Sequence, residues 1–148
     1  MSDFRQITPF FWASPQISPS DIAEAAALGF ALVINNRPEG EVEDQTPGRV
    51  IAAAVRAAGM DYRAIPVTPG CFSEDQVQAM TEALAEAQGP VLAYCRSGTR
   101  STLLWSLAQA QNGRDPDAIA ADAAGAGYDV APIRPLLKAL AAQARQGD

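Results

Sequence analysis

The chain has 148 residues, 48% of them hydrophobic and 19% charged, which is enough apolar material for one packed domain and too little length for two. A net charge of −6 argues against nucleic acid or an anionic membrane as partner, because phosphate surfaces are bound through excess Lys and Arg. Histidine is absent from the sequence, so Cys-His and Ser-His-Asp catalysis and imidazole-dependent zinc sites are excluded, and any nucleophile must be activated by something else.

The opening Met1-Ser2-Asp3-Phe4-Arg5 lacks the apolar stretch of a secretory signal, and no run reaches the length of a membrane span, so a cytoplasmic protein is expected. In that compartment Cys71 and Cys95 are expected to be free thiols. Phe10-Phe11-Trp12 is expected to open a sheet. Residues 21–28 read as a helix behind a Ser18/Ser20 cap. Residues 31–34 are apolar without alternation, as strands buried on both faces are. The polar, turn-rich stretch 35–44 is expected to be a mobile surface loop whose acidic run is a solvated face. Arg37, on the turn after the strand, faces either the crevice at the strand ends or solvent.

Residues 48–58 read as a helix closed by Gly59, and 62–67 as a strand that Pro66 confines to an edge or an end. Ser73 caps a helix running to Ala87, with Glu74 and Asp75 in its first turn and Val77, Met80 and Leu84 on one face. Residues 91–94 repeat the buried-strand pattern, and both such runs are expected mid-sheet. In the helix 100–111, Leu103, Leu104, Leu107 and Ala108 mark one buried face, and 117–124 form a short helix. Ile133, Leu136, Leu137 and Leu140 mark the buried face of the last helix. Short apolar runs alternating with longer amphipathic stretches predict an α/β fold, with a mainly parallel sheet flanked by helices in a single domain over 1–148.

Chemistry concentrates in Cys95-Arg96-Ser97-Gly98-Thr99-Arg100-Ser101. Cys95 follows a buried strand and precedes a helix, so it belongs at the carboxyl end of a parallel sheet, where open α/β folds place their ligands. Backbone N–H groups of residues 96–100 can curl inward beside the positive end of the helix dipole and favour Cys-S⁻ with an attached anion. Gly98 supplies the backbone freedom, Ser97 and Thr99 add hydroxyls, and Arg96 and Arg100 add charge, Arg100 being suited to grip an oxyanion by two bonds. The competing reading is a core thiol beside turn arginines.

This loop resembles the active-site loop of single-domain rhodanese-type sulfurtransferases, whose cysteine carries sulfane sulfur as a persulfide. Through Ser14-Pro15-Gln16, Val33-Ile34-Asn35-Asn36-Arg37-Pro38-Glu39-Gly40, Ala64-Ile65-Pro66-Val67 and Tyr94 to Ser101, the chain also resembles the beta-lactamase-hydrolase-like, phosphatase-like domains. That resemblance implies the topology of dual-specificity phosphatases, with a rhodanese-like fold as the alternative, and a functional link to a persulfide dioxygenase or another enzyme of sulfur metabolism. Against the phosphatase pattern, only four residues separate Cys95 from Arg100, one fewer than that family uses. Ser101 stands where its arginine falls, and Tyr94 replaces its usual histidine. The stretch Thr68-Pro69-Gly70-Cys71-Phe72-Ser73 also holds no carboxylate to act as general acid. Glu74 and Asp75 read better as helix N-terminal charges.

These features favour a sulfurtransferase that carries sulfur on Cys95, with Arg100 binding the oxyanion and Arg96 guiding a small anionic sulfur donor. The alternatives are a Cys95-dependent phosphomonoester hydrolase and a non-catalytic anion-binding module. Cys71 reads as a resolving thiol or as a packed loop residue. No metal or organic cofactor is implied.

Overall fold

The computed structural model describes residues 2–146. Among them, five short strands form one sheet: β1 (Arg5–Thr8), β2 (Phe11–Ser14), β3 (Leu32–Asn35), β4 (Asp61–Ala64) and β5 (Val91–Tyr94). Six helices accompany them: α1 (Pro19–Ala27), α2 (Gly48–Ala57), α3 (Glu74–Glu86), α4 (Thr99–Gln111), α5 (Pro116–Gly125) and α6 (Arg134–Gln146). The strand order is β1-β2-β5-β3-β4, antiparallel between β1 and β2 and parallel elsewhere.

The two unalternating apolar runs became β3 and β5, neighbours inside the sheet with every residue buried. Side chains of successive residues leave opposite faces of a strand, so these runs feed two separate cores. Ile34 and Ala93 join Phe11, Met80, Leu104 and Leu107 on the side of α3 to α6. Val33, Leu92 and Tyr94 join Ile22, Phe30, Ile51 and Val55 on the side of α1 and α2. Aromatic pairs fix the ends of both layers: Phe11 stacks on Trp105 at 5.5 Å, and Trp12 meets Phe30 edge-on at 5.1 Å.

Helix starts follow local chemistry. Ser73 and Gln76 form a reciprocal capping box on α3, with Gln76 N–H donating to Ser73 Oγ at 3.2 Å and Ser73 N–H donating to Gln76 Oε1 at 2.8 Å. At α1, the Asp21 carboxylate accepts from the Ser18 N–H at 2.8 Å.

Several expectations are corrected. Strand β1 carries too little pattern to be read, having a single buried residue, Ile7, in four. Phe10 does not open a strand; it stands 73% exposed in the β1–β2 turn, and β2 begins at Phe11. The strand expected over 62–67 ends at Ala64, on the sheet edge, although Ile65 N–H and Val67 N–H still donate to Asn35 O and Asn36 O at 2.9 Å each. The stretch 35–44 does not lie wholly in solvent, because Asn35, Asn36 and Arg37 are buried.

Helix α4 is not one-faced. It lies between the sheet and α3, α5 and α6, so Arg100 through Ala108 are all buried. Two of its buried hydroxyls are satisfied within the helix, with Thr102 Oγ1 donating to Gly98 O at 2.9 Å and Ser106 Oγ donating to Thr102 O at 2.8 Å. On α6 the buried positions are Leu137 and Ala141, whereas Leu136 is 43% exposed.

Leu104 is fully buried where α4 meets the sheet. Leu104→Ala is expected to cost about 3 kcal/mol, the transfer loss plus the cavity left behind. Urea unfolding should show a lower midpoint with an unchanged slope.

Candidate active site

Strands β2, β3 and β5 end level, with Ser14 and Asn35 both in register with Tyr94. The segments leaving these ends are tied together over the carboxyl edge of the sheet. Cys95 N–H donates to Ser14 O at 3.3 Å, Asn36 N–H to Tyr94 O at 2.8 Å, and Gln16 N–H to Arg96 O at 3.3 Å. This is the edge at which parallel sheets gather ligand-binding residues.

Between β5 and α4 the chain makes one tight loop. Gly98 is the N-cap of α4 with φ +94°, a left-handed conformation that a side chain would strain. Thr102 anchors the loop from inside the helix, its N–H and Oγ1 both donating to Gly98 O, at 3.0 and 2.9 Å. The loop thereby turns the Gly98 N–H onto Cys95 Sγ at 3.0 Å. On the rim of this loop the Thr99 N–H donates to Ser97 Oγ at 3.4 Å, and Ser97 Oγ donates to Thr99 Oγ1 at 3.1 Å. Cys95 is buried, as a core thiol would be, but an amide N–H is directed at its sulfur.

Arg100 is held on two sides. Its Nη1 donates to Glu41 Oε2 and to Val67 O at 2.7 Å each, and its Nη2 donates to Glu41 Oε1 at 2.9 Å. Both Nη1 hydrogens and one Nη2 hydrogen are thus occupied, which leaves Nε–H and the second Nη2–H. Arg37, also buried, completes a triad on the half-buried Glu41, with Nε donating to the same Glu41 Oε1 at 2.8 Å and Nη1 donating to Gln16 Oε1 at 3.0 Å. Glu41 holds its proton only near pH 2, against an ordinary value of 4.5, because Arg100 and then Arg37 stabilise the carboxylate more than burial disfavours it. Arg100 is raised above its usual value, chiefly by Glu41, with Cys95 adding to the shift.

The structure therefore brings Cys95, Gly98, Arg100 and Arg37 together. Arg96, Ser97 and Thr99 lie on the exposed rim. Ser101 is buried, and its Oγ has no partner among the described residues. Cys71 is an exposed free thiol in the turn where its N–H donates to Thr68 O at 3.0 Å. Tyr94 points into the opposite core, and burial raises its phenol far above the usual range. Among the described residues no cluster of His, Cys, Asp and Glu side chains is placed to hold a metal, and no helix is long and apolar enough to cross a membrane. Glu41 escaped the sequence reading, and Gln16 entered it only within a stretch of family resemblance, with no role of its own. Within an acidic run, only the four-residue step from Arg37 distinguishes Glu41 from Glu43 and Asp44.

The loop joins a central parallel strand to a buried helix within a phosphatase-like fold. The chain belongs to the family described as beta-lactamase hydrolase-like protein, phosphatase-like domain, whose profile matches residues 3–112. It is 41% identical over 95 residues to a beta-lactamase hydrolase-like protein of Agrobacterium fabrum, a stretch covering 64% of this chain and 22% of that protein. The match thus spans less than a quarter of the relative's length. A "putative phosphatase" of Neisseria meningitidis superposes with a TM-score of 0.83 at 31% identity, over 95% of this chain and 99% of that one. P. aeruginosa TpbA in complex with pTyr shares the fold, with a TM-score of 0.66 at 17% identity over 97% and 90% of the two chains.

Removing the Glu41 charge should leave two buried guanidinium groups sharing no anion. Glu41→Gln is expected to lose about 3 kcal/mol near neutral pH. Because the folded-state pKa is depressed, this contribution is complete above pH 4.5 and lost as pH falls toward about 2. Urea unfolding of wild type and Glu41→Gln across that range should show the two stabilities converging on the acid side.

Proposed function

We propose that this chain is a cysteine-dependent phosphomonoester hydrolase with Cys95 as nucleophile. The observation that carries the proposal is the Gly98 N–H aimed at Cys95 Sγ beside an Arg100 guanidinium already fixed by Glu41 and Val67. Family membership and the similarity to the N. meningitidis protein support the same reading. The sequence-based preference for sulfur transfer therefore yields to its phosphatase alternative. Of the arguments for sulfur transfer, the loop count weakens because the guanidinium is oriented by partners outside the loop, while the lack of a carboxylate in residues 68–73 stands.

In the first step Cys95 sulfur attacks phosphorus. An S–P bond forms as the ester P–O bond breaks, and the alcohol leaves with a proton taken from solvent. Arg100 Nε–H and its free Nη2–H bind two non-bridging oxygens whose charge rises in the transition state. Water then attacks phosphorus, the S–P bond breaks, and orthophosphate leaves with the thiolate restored. Glu41 cannot serve as the proton donor, being ionised and engaged by two arginines. Residues 68–73 offer no carboxylate either. Esters with good leaving groups, such as aryl phosphates, are therefore the expected substrates.

One observation favours a second reading, sulfane sulfur transfer. The Cys95–Arg100 spacing of four residues matches the shorter rhodanese-type loop, and transfer to a thiol or cyanide requires no acid.

One preparation decides between the two. p-Nitrophenyl phosphate should be hydrolysed, with Cys95→Ser reducing the rate by more than about a thousandfold and Arg100→Lys by roughly a hundredfold. Thiosulfate:cyanide transfer, with gain of one sulfur on the Cys95 peptide and no phosphate release, would reverse the assignment. Anion binding preserved in Cys95→Ser without turnover of either substrate would identify a binding module.

A further inference from the structure

We propose that Tyr128 is a positioning residue of the nucleophile loop, its hydroxyl holding the Ser97–Gly98 peptide in the orientation that presents the Gly98 N–H to Cys95 Sγ. The proposal rests on the reading of Cys95 as the reacting atom. Tyr128 lies outside that loop and beyond residue 112, where the family match ends.

Tyr128 Oη donates to Ser97 O at 3.2 Å. Gly98 N–H donates to Cys95 Sγ at 3.0 Å. The Ser97 carbonyl and the Gly98 N–H belong to one peptide unit, and in a planar trans peptide they point in opposite directions. One rigid plate is therefore held at both ends, by the phenol on one side and the sulfur on the other. A flip of that plate would break both bonds together. A donor on the carbonyl also polarises the peptide, which strengthens its N–H as a donor to sulfur.

The space around Gly98 shows the same construction. A Cβ there would lie 2.1 Å from Tyr128 Oη, 3.0 Å from Tyr128 Cζ and 3.3 Å from the Ser14 carbonyl carbon. The turn is thus wedged between Tyr128 and the end of β2. Tyr128 itself is firmly seated: it is 7% exposed, its N–H donates to Ala123 O at 3.0 Å, and the Arg5 guanidinium lies over its ring at 5.4 Å. Burial raises the phenol above its ordinary value against the pull of Arg5, and the nearby Cys95 adds to the rise, so the hydroxyl stays protonated and able to donate.

Tyr128→Phe removes the hydroxyl and keeps the ring. Loss of one hydrogen bond should make exchange of the Gly98 amide, followed by NMR, about fivefold faster, with Ser106 in α4 unchanged. With p-nitrophenyl phosphate, kcat should fall about fivefold while KM moves by less than about twofold. Replacing Tyr128 by 4-aminophenylalanine, which keeps a donor in place, should restore both. Unchanged Gly98 exchange in Tyr128→Phe would overturn the proposal, as would uniform loosening or unfolding of α4, or failure of the amino variant to rescue. A wild-type protein without phosphatase activity would refute the assigned reaction alone, since the exchange measurement judges Tyr128 by itself.

Discussion

A single carboxylate organises this site. Glu41 takes charge-assisted hydrogen bonds from two buried arginines that arrive on different segments, Arg37 after β3 and Arg100 at the head of α4. Two buried cations without a counter-ion would cost several kcal/mol each. The chain from Asn35 onward therefore folds inward until Glu41 reaches both. Gln45 secures that bend, its Oε1 accepting from the Glu41 N–H and its Nε2 donating to Pro38 O, both at 2.9 Å. Polar residues here are held inside the protein by one another.

In the proposed reaction the same arrangement takes the place of the missing imidazole. A cysteine nucleophile can be activated by a neighbouring base or by fixed positive partial charge, and without histidine only the second route is open. The proposed reaction requires amide and guanidinium to be in place before substrate arrives, because donors that reorganise during the reaction stabilise it less. Val67 O and Glu41 fix Arg100, while the left-handed turn at Gly98 fixes the amide. Each orienting group comes from a different part of the chain, so the site depends on the whole sheet edge being level.

The sequence was most legible where local pattern and tertiary environment agree. Strands β3 and β5 were apparent because burial on both faces requires unbroken apolar residues, and α3 because the Ser73 cap, Glu74 and Asp75 mark its first turn. Cys95, Gly98 and Arg100 stood out because their chemistry is written contiguously. What was missed acts over distance. Glu41 meets Arg100 across 59 positions and Tyr128 meets Ser97 across 31, separations at which no periodicity or capping rule operates. An acidic run also looks the same whether one member turns inward or none does. Helix α4 departs in a related way, since Leu103, Leu104, Leu107 and Ala108 alone mark a buried face in the sequence, yet Ser101, Thr102 and Ser106 are buried too. Thr102 and Ser106 escape a desolvation penalty by donating to carbonyls one turn back.

Loop length illustrates the difference between counting residues and locating atoms. With Arg100 one position nearer the cysteine than in the phosphatase pattern, a guanidinium guided by its own backbone alone would point elsewhere. Side chains in the first turn of a helix lean toward its N-terminus, which carries Arg100 toward the strand ends. There Val67 O and the Glu41 carboxylate occupy three of its five N–H groups. The direction of the remaining two is set by those partners, which are anchored to β3 and to the segment after β4. The Arg100 guanidinium is thus oriented by the surrounding sheet edge rather than by the length of its own loop.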